Sequence, residues 1–133
     1  MANPEHVRIV KQGEEAIEKW KRQNPDVLFD LSGAELSGIQ IADLGSCPAF
    51  VKADLRNAVL RDVFLGTTYM TGADLRGASL DYARVYDCAL DRANLRGAHL
   101  GGARFEYADF VDSDLSESDC HSTTFIHLLH LIQ

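Results

Sequence analysis

At 133 residues, 46% of them hydrophobic and 25% charged, the chain suits one folded domain. A formal net charge of −7 argues against a basic surface that binds nucleic acid directly. Three cysteines make no disulfide framework, and no apolar run approaches the roughly 20 residues of a membrane-spanning helix. The opening Met1-Ala-Asn-Pro-Glu-His has no signal-peptide pattern, so a reduced, cytoplasmic setting without membrane contact is expected.

Asn3-Pro4-Glu5 is a helix start: a capping side chain, proline at the first helical place, then an acid at the positive end of the dipole. Val7, Val10, Gly13, Ile17 and Trp20 recur at helical spacing. Lys19, Lys21 and Arg22 crowd the last turn before Asn24-Pro25. One helix over about residues 4–23 is therefore predicted, within a capping segment of residues 1–28.

Five-residue units follow. Phe29-Asp-Leu-Ser-Gly, Ala34-Glu-Leu-Ser-Gly and Ile39-Gln-Ile-Ala-Asp centre on Leu31, Leu36 and Ile41. An irregular stretch over 44–50, with Gly45 and Pro48, shifts the phase by one residue. From Ala53-Asp-Leu-Arg-Asn to Thr123-Thr-Phe-Ile-His the pattern then runs unbroken for 15 units. The first place is small or β-branched in every unit of this run and the third is apolar.

A period of five suits neither regular element. On an α-helix it moves the apolar place about 140° per step, and on one strand it alternates faces. The pattern holds only if the chain turns a corner in every unit, with places one and three inward and places four and five at the corner. Gly66, Gly72, Gly77, Gly97, Gly101, Gly102, Asn57, Asp62, Asp87 and Asp91 occupy those corner places. The closest self-match is at 20 residues, as in Ala53-Asp-Leu-Arg, Ala73-Asp-Leu-Arg and Ala93-Asn-Leu-Arg. Four units per coil predict an all-β solenoid of square section over residues 29–127, rising about 4.8 Å per coil. Cys88 and Cys120 fall on inward places.

The A(D/N)LXX repeat resembles the pentapeptide-repeat family. That resemblance implies a right-handed quadrilateral β-helix, and the helical preamble also resembles that of many bacterial members. Some members bind DNA gyrase as acidic, dimeric rods that mimic duplex DNA. This chain is shorter than the plasmid-borne quinolone-resistance group and lacks its longer projecting loops.

The residues offer no catalytic, metal or cofactor set. No P-loop, Gly-x-Ser-x-Gly or Cys-x-x-Cys occurs, and the carboxylates belong to outward places on a convex rod. His127 and His130, with His121 and Cys120 nearby, have no second well-spaced pair, so they read as surface histidines. Arg56, Arg76 and Arg96 should climb one face, neutralised by Asp54 and Asp74.

All 13 Lys and Arg lie within residues 1–104, whereas 105–133 hold Glu106, Asp109, Asp112, Asp114, Glu117 and Asp119. These six acids form the candidate interaction surface. In the tail, 128–133, a short helix from about 124 would place Phe125, Leu128, Leu129 and Ile132 on one face. Ile126 and Leu131 lie on the other side, so the tail is a candidate cap and homodimer contact. The expected function is a non-catalytic scaffold with a protein partner; the alternative is an acidic DNA mimic that binds a type II topoisomerase.

Overall fold

The structure is a computed structural model that describes residues 1–45 and 47–128. Two helices precede a coil whose one regular sheet has five parallel strands in sequence order. The helices are α1 (Pro4–Gln12) and α2 (Glu14–Gln23). The strands are β1 (Gln40–Ala42), β2 (Phe64–Gly66), β3 (Arg84–Tyr86), β4 (Arg104–Glu106) and β5 (Thr124–Ile126).

The predicted single helix is broken at Gly13, whose φ of 99° is a conformation that L side chains rarely adopt. Asn3 caps α1 by accepting from the N–H groups of Glu5 and His6, at 2.9 and 3.4 Å. The break lets both helices press onto the first coil, burying Ile9, Val10 and Ile17.

The coil has the predicted four sides. Face I carries the strands, paired at a step of 20 as Phe64↔Arg84↔Arg104↔Thr124. Single bridges tie the others: Tyr69↔Ala89↔Asp109 on face II, Asp54↔Asp74↔Asn94↔Asp114 on face III, and Val59↔Ser79↔His99↔Asp119 on face IV. Each coil is held to the next by backbone bonds such as Leu55 N–H to the Asp74 carbonyl (2.8 Å) and Asp74 N–H to the Ala53 carbonyl (2.9 Å). From Ala53 to Phe110 every first-place and third-place side chain is buried. The small first place is what lets four central residues meet at the axis.

The first coil is larger. Ile41 pairs with Leu65 and Asp30 with Asp54, a step of 24 instead of 20, so four extra residues lie between Ile41 and Phe50.

At three of the four corners the turn spans the fourth and fifth places, and the fifth place is the left-handed one. From Lys52 to His127 every fifth residue has a φ between 48 and 70°. Gly66 and Gly101, expected at corners for their backbone freedom, are not in that region. A side chain on Gly66 would instead meet the Phe64 ring at 3.1 Å.

The last coil departs from expectation too. Cys120 is exposed, and Leu115 and Phe125 are only half-buried, because these places lie in the last layer of the coil. Thr124–Ile126 is a strand, so no helix starts at 124. Leu129, Leu131 and Ile132 lie outside the described residues. No helix among the described residues is long and apolar enough to cross a membrane.

Candidate interaction surface

The acidic residues do not form a patch on one side. Successive units occupy successive faces, so the six acids encircle the last coil as a collar. Glu106 is on face I, Asp109 on face II, Asp114 on face III and Asp119 on face IV, with Asp112 and Glu117 at the corners on either side of face III.

Three of the six have a structural task. The second-place carboxylate accepts the backbone N–H two residues on: Val111 N–H to Asp109 and His121 N–H to Asp119, both at 3.0 Å, and Ser116 N–H to Asp114 at 2.9 Å. The same bond recurs at Asp30, Asp54, Asp74 and Asn94. This is the Asx turn that the repeat's Asp or Asn supplies. The Ser116 hydroxyl and N–H hold the Asp114 carboxyl below its ordinary range. Glu106 and Glu117 instead face Arg104 and Arg96, at 3.6 and 2.9 Å.

Face III is neutralised as expected. Arg56 grips Asp54 through Nε (2.9 Å) and Nη2 (2.7 Å), and Arg76 grips Asp74 likewise at 2.9 and 2.6 Å. These forks lower both aspartate pKa values and raise both arginine values. One coil on, Asn94 carries no charge, so Arg96 reaches across to Glu117. These pairs are half-exposed and fix side chains more than they stabilise the fold.

Face I carries a surface that sequence reasoning missed. Tyr86 and Arg84 project from β3, Arg104 from β4 and the partly exposed Phe64 from β2. Arg84 lies 5.5 Å over the Phe64 ring and, among the described residues, joins no ion pair. The flanking corners extend the surface. On one side Tyr82 is 60% exposed and its ring lies over Gly102, where a Cβ would fall 2.7 Å away. On the other, Tyr86 meets Tyr107 edge-on at 5.6 Å, and Tyr107 stacks on His127 at 5.1 Å. The signal is present in the sequence, since reading outward places at a step of 20 collects these residues.

Among the described residues no three His, Cys, Asp or Glu side chains converge as a metal site. His121 is exposed, His127 is committed to Tyr107, and His130 lies outside the described residues.

A parallel coil with a period of five, small and large inward places in alternation, and a left-handed residue at each corner defines a β-solenoid repeat protein. A family model described as pentapeptide repeats matches in eight copies over residues 50–84, 68–97 and 93–127. The chain belongs to the pentapeptide repeat family. Similar solved structures include a pentapeptide repeat protein (Rfr23) from the cyanobacterium Cyanothece 51142, at 25% identity and a TM-score of 0.43, covering 69% of this chain and 60% of that one. HetL, a pentapeptide repeat protein involved in heterocyst differentiation regulation in the cyanobacterium Nostoc sp. Strain PCC 7120, is 23% identical. Its TM-score is 0.45, and the match covers 71% of this chain and 59% of HetL. Full-length QnrB1, a plasmid-mediated fluoroquinolone resistance protein, gives 20% identity, a TM-score of 0.45 and coverage of 71% and 55%. The matched region thus spans between half and two thirds of these proteins. No curated protein matches the chain.

Proposed function

We propose that the chain is a non-catalytic interaction module that binds a protein partner through face I. The observation that carries this reading is the contrast between two faces of one rod. Face III commits its arginines Arg56 and Arg76 to internal aspartates, whereas face I presents Tyr82, Tyr86, Tyr107, Phe64 and Arg84, which joins no ion pair among the described residues, to solvent. Tyr and Arg are the residues most enriched at the energetic centres of interfaces. Their desolvation costs little side-chain entropy when, as here, the rings already rest on neighbours. The test compares proximity labelling by the parent, by Tyr86→Ser/Arg84→Glu, and by Arg56→Gln/Arg76→Gln on face III. A partner lost with the face I changes and kept with the face III changes supports the reading. The opposite pattern would falsify it.

A second reading rests on the collar and the open end beside it. Leu115, Phe125, Ile126 and Leu128 leave apolar surface half-covered at the last coil. Pairing two copies there, with Leu129, Leu131 and Ile132 contributing, would join two acidic collars into one longer anionic rod. Such a rod suits a basic groove that normally holds nucleic acid, as in a type II topoisomerase. Two anionic ends repel, and salt screens that repulsion to about 8 Å at physiological strength. Dimerisation should therefore strengthen with salt. Light scattering across salt concentrations, with Leu131→Asp beside the parent, tests the pairing, and a gyrase supercoiling assay tests the mimicry. A parent monomeric throughout removes this reading.

A further inference from the structure

The four extra residues of the first coil need a reason. Twenty residues close every later coil, so the insertion is not required to complete the square; it is itself the change of phase. What it does build is a wall. Leu44 is buried, and Leu44, Cys47 and Pro48 stand opposite the end of α2, lining an open cavity of about 320 Å³. That lies at the lower end of the range that holds small ligands, roughly 300–1,000 Å³.

The helical wall carries Glu18, Lys21 and Arg22, spaced i, i+3 and i+4 and thus on one face. Lys21 is only 6% exposed. Its ammonium donates to the Val27 carbonyl at 2.6 Å, which uses one of three N–H donors. Among the described residues none of these three charged side chains joins an ion pair, although two cations and an acid share the rim. A cavity with two cations, one carboxylate and an apolar floor of Leu44 and Pro48 complements a zwitterion with a short apolar side chain. A bare carboxylate would be repelled by Glu18, and a bare amine by Lys21 and Arg22.

We propose that this cavity binds a small apolar α-amino acid, its carboxylate on Lys21 and Arg22, its ammonium on Glu18 and its side chain against Leu44 and Pro48. The site is independent of face I and of the collar.

Cys47 is a reporter built into the cavity wall. Its thiol is half-buried, and burial raises its pKa. Exposed Cys120 serves as the internal control, while buried Cys88, its thiol pushed up to about 12, stays silent. Alkylation by iodoacetamide is followed by mass spectrometry with L-valine as the probe. Valine is expected to slow Cys47 several-fold and leave Cys120 unchanged. Isovalerate, which lacks the ammonium, and isobutylamine, which lacks the carboxylate, should protect less. Lys21→Met risks loosening the cap, so the variants are Arg22→Gln and Glu18→Gln, whose side chains are not buried. Each should remove valine's advantage over one half-analogue while circular dichroism stays that of the parent. No protection by valine, equal protection by either half-analogue, or equal slowing of Cys120 overturns the proposal.

Discussion

At its amino end the coil is closed by α1 and α2, whereas at its carboxyl end Leu115, Cys120 and Phe125 stay partly open. The amino end also satisfies its backbone edge. The Asn3 N–H donates to the Asp30 carbonyl at 3.0 Å, the Asp30 N–H to His6 Nδ1 at 2.9 Å, and the Ala42 N–H to Glu14 at 2.6 Å. Trp20 stacks on Phe29 at 4.7 Å, sealing the axis with an aromatic lid. At the other end Phe125 stacks on Phe105 at 5.3 Å but is itself only half-buried. An exposed solenoid end attracts further strands. The comparison teaches that helices and backbone bonds seal the first layer, whereas among the described residues the last layer keeps Leu115, Cys120 and Phe125 partly exposed.

The largest effect expected from this difference comes from the two phenylalanines. Phe29→Ala removes a fully buried ring from beneath the lid and should cost about 3–5 kcal/mol. Phe125→Ala removes a ring already half in water and should cost about 1–2 kcal/mol. Urea unfolding measures both. Equal losses would mean that the carboxyl end is as closed as the amino end.

Between the ends, Ala93→Phe should cost about 1–3 kcal/mol, because the ring has no room at the axis. Ala93 is 1% exposed and belongs to a middle coil, so its effect should not depend on either cap. A strong dependence on protein concentration in this variant alone would show that overpacking had opened an end.

Much of this architecture is legible in the sequence, because Leu55, Leu75 and Leu95 can share a column only if the chain turns four corners in 20 residues. The Gly13 break is hidden because Val10 and Ile17 keep helical spacing across it, although Gly after Lys11-Gln12 is an ordinary helix stop. Cys120, on an inward place, is exposed for a different reason. Periodicity gives direction but not whether another layer covers the place. The acids read as a patch only while neighbours in sequence are taken as neighbours on a surface. In this coil, residues five apart lie on different faces and residues 20 apart touch. Face I escapes a linear reading for the same reason, since Tyr86 and Tyr107 are 21 residues apart.

The aromatic lid gives the amino end a pH dependence that runs through His6. His6 sits edge-on to Trp20 and Phe29, at 5.0 and 5.3 Å, and accepts the Asp30 N–H, so its folded form is neutral. Burial lowers its pKa below 6.5; Asp30 and Glu5 pull it back, while Lys21 adds to the lowering. The unfolded chain thus takes up the proton first as pH falls. His6 contributes stability that is complete above pH 6.5 and is lost as pH drops through 6.5 toward the lower folded value. Trp20 fluorescence should report loosening of the cap in that window, ahead of any change in the coil. His6→Gln should flatten the dependence, and an unchanged profile would sink it.

The smallest effect separates charge from geometry in the collar. Asp114 caps the Ser116 N–H, whereas Asp112 sits at a left-handed corner, outside the second place that makes this turn. Asp114→Ala should therefore lower the urea midpoint measurably and Asp112→Ala should not. Asp114→Asn is the decisive variant, because Asn94 makes the same bond to the Arg96 N–H at 3.0 Å without any charge. If the acid is there for the turn, an amide in its place keeps the midpoint near that of the parent. The charged form gains one further contribution. The Ser116 hydroxyl and N–H hold the Asp114 carboxyl below its ordinary 3.8, so this part is present above pH 3.8 and is lost as pH falls below it. Asp114→Asn should therefore sit slightly below the parent near neutral pH and converge with it on acidification. An Asn variant as unstable as the Ala variant would show that the carboxylate's charge, and not the turn, is what the last coil requires.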